Sequence, residues 1–155
     1  MKYKGTMLIV KDMENSKNFY TTVLGVRVIS DFGENITLTG GLSLQTEQSW
    51  CTFTHCSTDF FRYQGNVAEL YFEEENFDEF LIKLHSMEVP LLDKEMTMPW
   101  GQKVVRFYDP DKHIIEVGED LKVMMKRLHK DGLTVEELVE KTFMSKGIIE
   151  RMLNK

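Results

Sequence analysis

A chain of 155 residues, 42% apolar and 28% charged, has the size and composition of one globular domain with a core of its own. Its 19 basic and 25 acidic residues leave a formal charge of 19 − 25 = −6, which excludes nucleic acid and anionic membranes as default partners. No apolar run reaches membrane-spanning length, and Met1-Lys2-Tyr3-Lys4-Gly5 opens no signal-peptide core, so the cytoplasm is the expected compartment.

Thr6 to Val10 reads as a strand. Asp12 then caps a helix running to about Leu24, with Phe19, Tyr20, Val23 and Leu24 as its apolar stripe and Gly25 as its stop. Three strand-like runs follow, Val26 to Asp31, Asn35 to Thr39 and Leu42 to Thr46, punctuated by Gly33 and Gly40-Gly41. Residues 47–65 read as a connecting segment in which Trp50 to Thr54 has strand character. Cys51 and Cys56 flank His55 there. No second Cys/His pair follows at zinc-ligand distance, so two unpaired thiols are expected.

The pattern then restarts. Ala68 to Glu73 reads as a strand, Asn76 to Met87 as a helix with Phe77, Phe80, Leu81 and Leu84 on one face, and Val89 to Leu92 as a strand. After a loop holding Pro99-Trp100-Gly101 come the strands Lys103 to Tyr108 and His113 to Val117, joined by the turn Asp109-Pro110-Asp111-Lys112. The order is strand, helix, three strands, twice over. Leu8-Ile9-Val10 aligns with Leu70-Tyr71-Phe72, Phe19 with Phe80, and Leu44-Gln45 with Ile115-Glu116. The expected fold is α+β, with tandem βαβββ units forming a curved, half-open mixed sheet around a cleft, the usual place for a site in a duplicated chain.

Strand alternation sorts the side chains. Leu70, Phe72, Val105, Phe107, Ile115 and Val117 suit a helix-covered face. The opposite parity gathers Gln45, Glu69, Tyr71, Arg106, Tyr108 and Glu116 on the concave side, as candidates for ligand binding. Carboxylates, an arginine and phenols are costly to enclose unless paired or solvated, so an internal Arg106–Glu69 or Arg106–Glu116 ion pair is the competing expectation.

Residues 119–155 extend beyond the duplicated part, residues 1–118. Leu121, Met124, Met125 and Leu128 mark one helix, ended by Asp131-Gly132. Thr134 with Glu137 forms a capping box for a second, and Ser145 caps a third, with Ile148, Ile149, Met152 and Leu153 as its apolar face. The last two helices have helix-turn-helix spacing, which would set Lys146 and Arg151 against phosphates. Basic and acidic residues nearly balance here, eight against seven, so packing on the sheet or at a dimer contact is expected instead, and nucleic acid is not the expected partner.

Leu8-Ile9-Val10-Lys11-Asp12, Phe19-Tyr20 and Val23-Leu24-Gly25 resemble the opening motif of the glyoxalase/bleomycin-resistance/dioxygenase (vicinal oxygen chelate) superfamily. Trp100-Gly101, Val105 to Asp111 and Ile114-Ile115-Glu116 resemble its closing strand pair. The resemblance implies the paired βαβββ fold, frequent homodimers and a cleft that often holds a divalent metal. Its four metal-ligand positions fall on Gly5, Gln45, Val67 and Glu116, two of which carry no ligating side chain. No tightly bound metal is therefore expected. A register slip would offer Gln45, Glu69 and Glu116, an oxygen-rich set that would hold Mg²⁺ or Mn²⁺ only weakly.

Three functions follow as expectations. In the first, the cleft binds a small polar or anionic molecule, with Arg106 as anchor and Trp50 and Trp100 as candidate aromatic walls. In the second, the chain is a metal-dependent lyase, isomerase or dioxygenase whose candidate catalytic residues are Glu116 and Glu69. Glu116 and Gln45 are then metal ligands, and Glu69 is a further ligand or the general base that moves a proton alpha to a carbonyl. In the third, ligand binding is coupled to the helical tail.

Overall fold

In the computed structural model, which describes residues 1–154, each half of the chain builds one four-stranded mixed sheet. The first half gives β1 (Thr6–Val10), α1 (Met13–Thr22), β2 (Val28–Asp31), β3 (Asn35–Leu38), β4 (Leu42–Thr46) and α2 (Glu47–Thr54). The second gives β5 (Glu69–Glu74), α3 (Phe77–Ser86), β6 (Met96–Thr97), β7 (Lys103–Tyr108) and β8 (Ile114–Glu119). Three helices close the chain, α4 (Leu121–Lys130), α5 (Val135–Thr142) and α6 (Lys146–Leu153). Strand order is β1-β4-β3-β2 in one sheet and β5-β8-β7-β6 in the other.

In each sheet the first strand lies parallel to the last, across the helical crossover. Leu8 pairs with Leu44 and Ile9 with Gln45; Leu70 pairs with Ile115 and Tyr71 with Glu116. The strand residues that aligned between the two halves thus occupy equivalent ladder positions. Two compact units result: Met1–Ala68 with the turn Tyr108–His113, and Glu69–Phe107 with the chain from Ile114 onward.

α1 starts where Asp12 accepts from the Asn15 amide, and it buries Met13, Ser16 and Tyr20. The turn 108–113 docks on this helix through carboxylates. Asp109 accepts from the Tyr20 hydroxyl at 2.9 Å, the His113 ring at 2.8 Å and the amides of Asp111 and His113. Asp111 accepts from the Lys11 amide and from Ser16. Burial, and after it the negative charge of Asp109, push the Tyr20 phenol well above its ordinary value, so it stays a donor. Removing that hydroxyl with Tyr20→Phe should cost about 1 kcal/mol by urea denaturation, since Asp109 keeps its other donors.

Three expected elements differ. Residues 47–54 form helix α2, where a connecting segment with strand character at Trp50 to Thr54 was expected, because Thr46 accepts from the Ser49 amide and caps a turn whose β-prone residues then follow it. Val89 to Leu92 supplies only a bridge from Leu91 to Phe107 and a bond from the Leu92 amide; Pro90 has no N–H to donate. Pairing resumes at β6, inside the segment expected to be loop. Ser145 precedes α6 without a side-chain cap bond.

Candidate functional site

Four of the side chains that strand parity assigns to one face meet in the second unit. β5 and β8 are in parallel register, which brings Glu69, Tyr71 and Glu116 to the same side, and Arg106 projects from β7. The other face buries Phe107 and Ile115, with the Phe80 ring of α3 against Phe107. Arg106 Nε lies 3.3 Å from Glu69 Oε2, and Arg106 Nη2 pairs with Glu116 Oε2. Both ion pairs of the competing expectation are therefore present at once.

The two carboxylates are unequal. Glu116 is buried, with 8% of its side chain exposed, whereas Glu69 is 43% exposed. Burial holds the Glu116 carboxyl above its ordinary value; Arg106 pulls it down and Glu69 pushes it up. A carboxyl raised in the fold opposes stability once ionised, so this contribution worsens as pH rises above 4.5 through the raised value. A buried carboxyl raised in this way and set against a guanidinium marks ion-pair networks and proton-transfer sites alike.

Tyr71 stands beside Glu116 on the neighbouring strand. Its hydroxyl donates to Glu73 at 3.0 Å and accepts from Gln102 Nε2 at 2.7 Å. Burial is the main reason that its phenol is pushed up to about 12; the Gln102 bond opposes the rise and Glu73 adds to it. Gly118 gives this pair room. A Cβ there would sit 2.6 Å from Gln102 Nε2 and 3.1 Å from the Tyr71 oxygen.

The remaining candidates lie elsewhere. Trp100 packs against the core of the C-terminal helices, its indole donating to Gln102. Gln45, Trp50 and Tyr108 belong to the first unit. Gln45 is buried and donates to Ser49 of α2 at 3.0 Å. Trp50 stacks on Phe60 and meets Phe61 edge-on. The Tyr108 hydroxyl donates to Asn66, with Lys112 over its ring.

The glyoxalase-like domain family matches residues 3–122. The chain belongs to that family. A protein of unknown function from Agrobacterium tumefaciens strain C58 is 32% identical, over 78% of this chain and 95% of that one, with a TM-score of 0.70. A lactoylglutathione lyase from the same species is 22% identical, over 77% of this chain and 93% of that one, at a TM-score of 0.58. A fosfomycin resistance protein from Mesorhizobium loti is 13% identical, over 82% and 97%, at 0.56. These last two share the fold. No curated protein sequence matches the chain.

The four ligand positions of this glyoxalase-like chain do not fit a metal. At Gly5 a Cβ would lie 2.0 Å from the Gly41 carbonyl oxygen, so no ligating side chain has room there without a backbone shift. Val67 is apolar and 94% exposed. Gln45 is committed to Ser49, and Glu116 already carries a counter-charge in Arg106. The slipped set fares no better, because Glu69 and Glu116 share that same guanidinium. Among the described residues no group of three or more His, Cys, Asp or Glu side chains is arranged to hold a metal.

Sequence reading missed Gln102, Glu119 and Arg127. Gln102 is 3% exposed, and Arg127 grips the buried Glu119 carboxylate with two bonds of 2.8 and 2.6 Å. Glu119 ends β8 and Arg127 lies in α4, so no spacing within one element marks them as a pair.

Proposed function

We propose that this chain is a glyoxalase-like protein that binds a small polar or anionic molecule on the β5–β8–β7 face, with Arg106 as its anchor and without a tightly bound catalytic metal. One observation carries the reading: Arg106, seated on buried Glu116, supplies positive charge where the family's metal-ligand position would call for a cation. Its guanidinium still has N–H groups beyond the two engaged with carboxylates. With both carboxylates ionised the trio carries one negative charge, so an anion does not simply add to it. It replaces Glu69, whose 3.3 Å contact is half open to water and of the kind worth about 0–1 kcal/mol.

Glu69→Gln should therefore tighten the binding of small carboxylates and phosphates, about three- to tenfold. Chemical-shift mapping with such a panel should move Glu69, Tyr71, Arg106 and Glu116 together. Responses that cluster elsewhere, or weaker binding in Glu69→Gln, would count against the proposal.

The raised Glu116 carboxyl favours a second reading, proton transfer alpha to a carbonyl, with Glu116 or Glu69 as the base. Solvent-exchange labelling of alpha-hydroxy ketones and aldehydes checks it: exchange abolished by Glu116→Gln supports the step. The helical tail suits packing better than phosphate contact. Lys146 is paired to Glu136 at 2.7 Å, and Arg151 Nε donates to the Gly147 carbonyl. A homodimer, and a small molecule rather than nucleic acid as partner, belong to the same proposal. No helix among the described residues is long and apolar enough to cross a membrane.

A further inference from the structure

The chain beyond residue 122 lies outside the family match, yet it is wired to the face described above. α4, α5 and α6 enclose Met124, Met125, Leu128, Leu138 and Ile149, and Trp100 packs against that core. Gly101 follows with φ +100, where a Cβ would sit 2.9 Å from the Leu128 side chain. Gln102 then turns back into the sheet. Its Oε1 accepts from Trp100 Nε1 at 3.0 Å, and its Nε2 donates to the Tyr71 hydroxyl at 2.7 Å and to the Glu119 carbonyl at 2.8 Å.

Those partners fix the amide's orientation. An indole N–H can only donate and a carbonyl can only accept, so a flipped amide would oppose donor to donor and acceptor to acceptor. With Gln102 donating to it, Tyr71 sends its own proton to Glu73. The hydrogen bonds run one way, from Trp100 through Gln102 and Tyr71 to Glu73, from the helical core to the sheet face.

We propose that the C-terminal helices fix the Tyr71 hydroxyl beside Glu116 through Trp100 and Gln102, so that occupancy of this face and the state of the helices are coupled. The proposal rests on the reading that this face binds a ligand. Gln102 is a positioning residue, acting through Tyr71. Hydrogen bonds in a chain polarise one another, and binding linkage is reciprocal: what the helices do for the ligand, the ligand does to the helices.

The full chain holds two tryptophans, so ¹⁵N labelling gives two indole N–H signals, assigned with Trp50→Phe. Tyr71→Phe, which removes only the hydroxyl of a half-exposed ring, should shift the Trp100 signal and leave that of Trp50 unmoved. An unmoved Trp100 signal would overturn the coupling whatever the ligand. In a second arm, acetate and inorganic phosphate are titrated while the Arg106 Nε–H and Trp100 signals are followed. The two signals should move in step, and Gln102→Glu should weaken the probe about five- to tenfold. A probe that moves Arg106 but leaves Trp100 still overturns the coupling and spares the binding reading. If neither probe moves Arg106, the binding reading fails, and the Tyr71→Phe arm still decides the coupling.

Discussion

Arg106→Met should destabilise the chain by about 2–4 kcal/mol at neutral pH, visible as a fall in Tm of about 6–12 °C. The cause is not the lost contact itself but the carboxylate left behind. Glu116 is 8% exposed and would face Glu69 with no cation between them. Breaking a buried pair costs about 3–5 kcal/mol, and the 25% exposure of Arg106 places this one lower, because water partly replaces the guanidinium. The pH dependence has a definite sign. Without Arg106 the Glu116 carboxyl rises further above its unfolded value, so the deficit is full above the raised value and shrinks as pH falls towards 4.5. Adding Glu116→Gln to Arg106→Met should recover most of the loss, and by more than additivity allows. A deficit unchanged between pH 7 and pH 5 would show that Arg106 contributes through packing alone.

Arg127→Leu should give a loss of similar size, about 2–4 kcal/mol, for a related reason. Glu119 has 4% of its side chain exposed, and Arg127 holds both its oxygens while also donating to the Gly101 carbonyl. A leucine offers no donor and leaves Glu119 with only a 3.5 Å approach from the Lys103 amide. Arg127→Lys should recover only part of the loss, since an ammonium cannot grip both oxygens and the carbonyl in one plane. The two pairs differ in what they support. Arg106 holds the candidate ligand face, whereas Arg127 pins α4 to the last strand and to the bend that carries Trp100 and Gln102. Stability measured with Glu119→Gln combined with Arg127→Leu isolates the second from the first.

All the strands but β6 were legible because the chain repeats itself. Leu8-Ile9-Val10 and Leu70-Tyr71-Phe72 carry the same pattern, and both pair with the last strand of their half in the same register. That register is why parity alone brought Glu69, Tyr71 and Glu116 to one side. Gln45 obeys the same parity, yet its side chain is taken by Ser49. The helix that presents Ser49 was hidden in a segment whose Trp, Cys, Thr and Phe favour strands and whose only helical signal is the Thr46 cap. Gln102 was hidden for another reason. It precedes β7, and its partners Tyr71 and Glu119 lie 31 and 17 positions away, so no local pattern marks it. Residues bonded along one element can be read from spacing; residues bonded across elements depend on packing.

Either Arg106 or a metal ion balances the charge of Glu116. Metal content of the full chain, purified without chelators and then titrated with Mg²⁺, Mn²⁺, Ni²⁺ and Zn²⁺, tests this most directly. Far less than one metal per chain, with no saturable uptake and no change on Glu116→Ala, is the predicted result. A stoichiometric divalent metal that is lost on Glu116→Ala would contradict it.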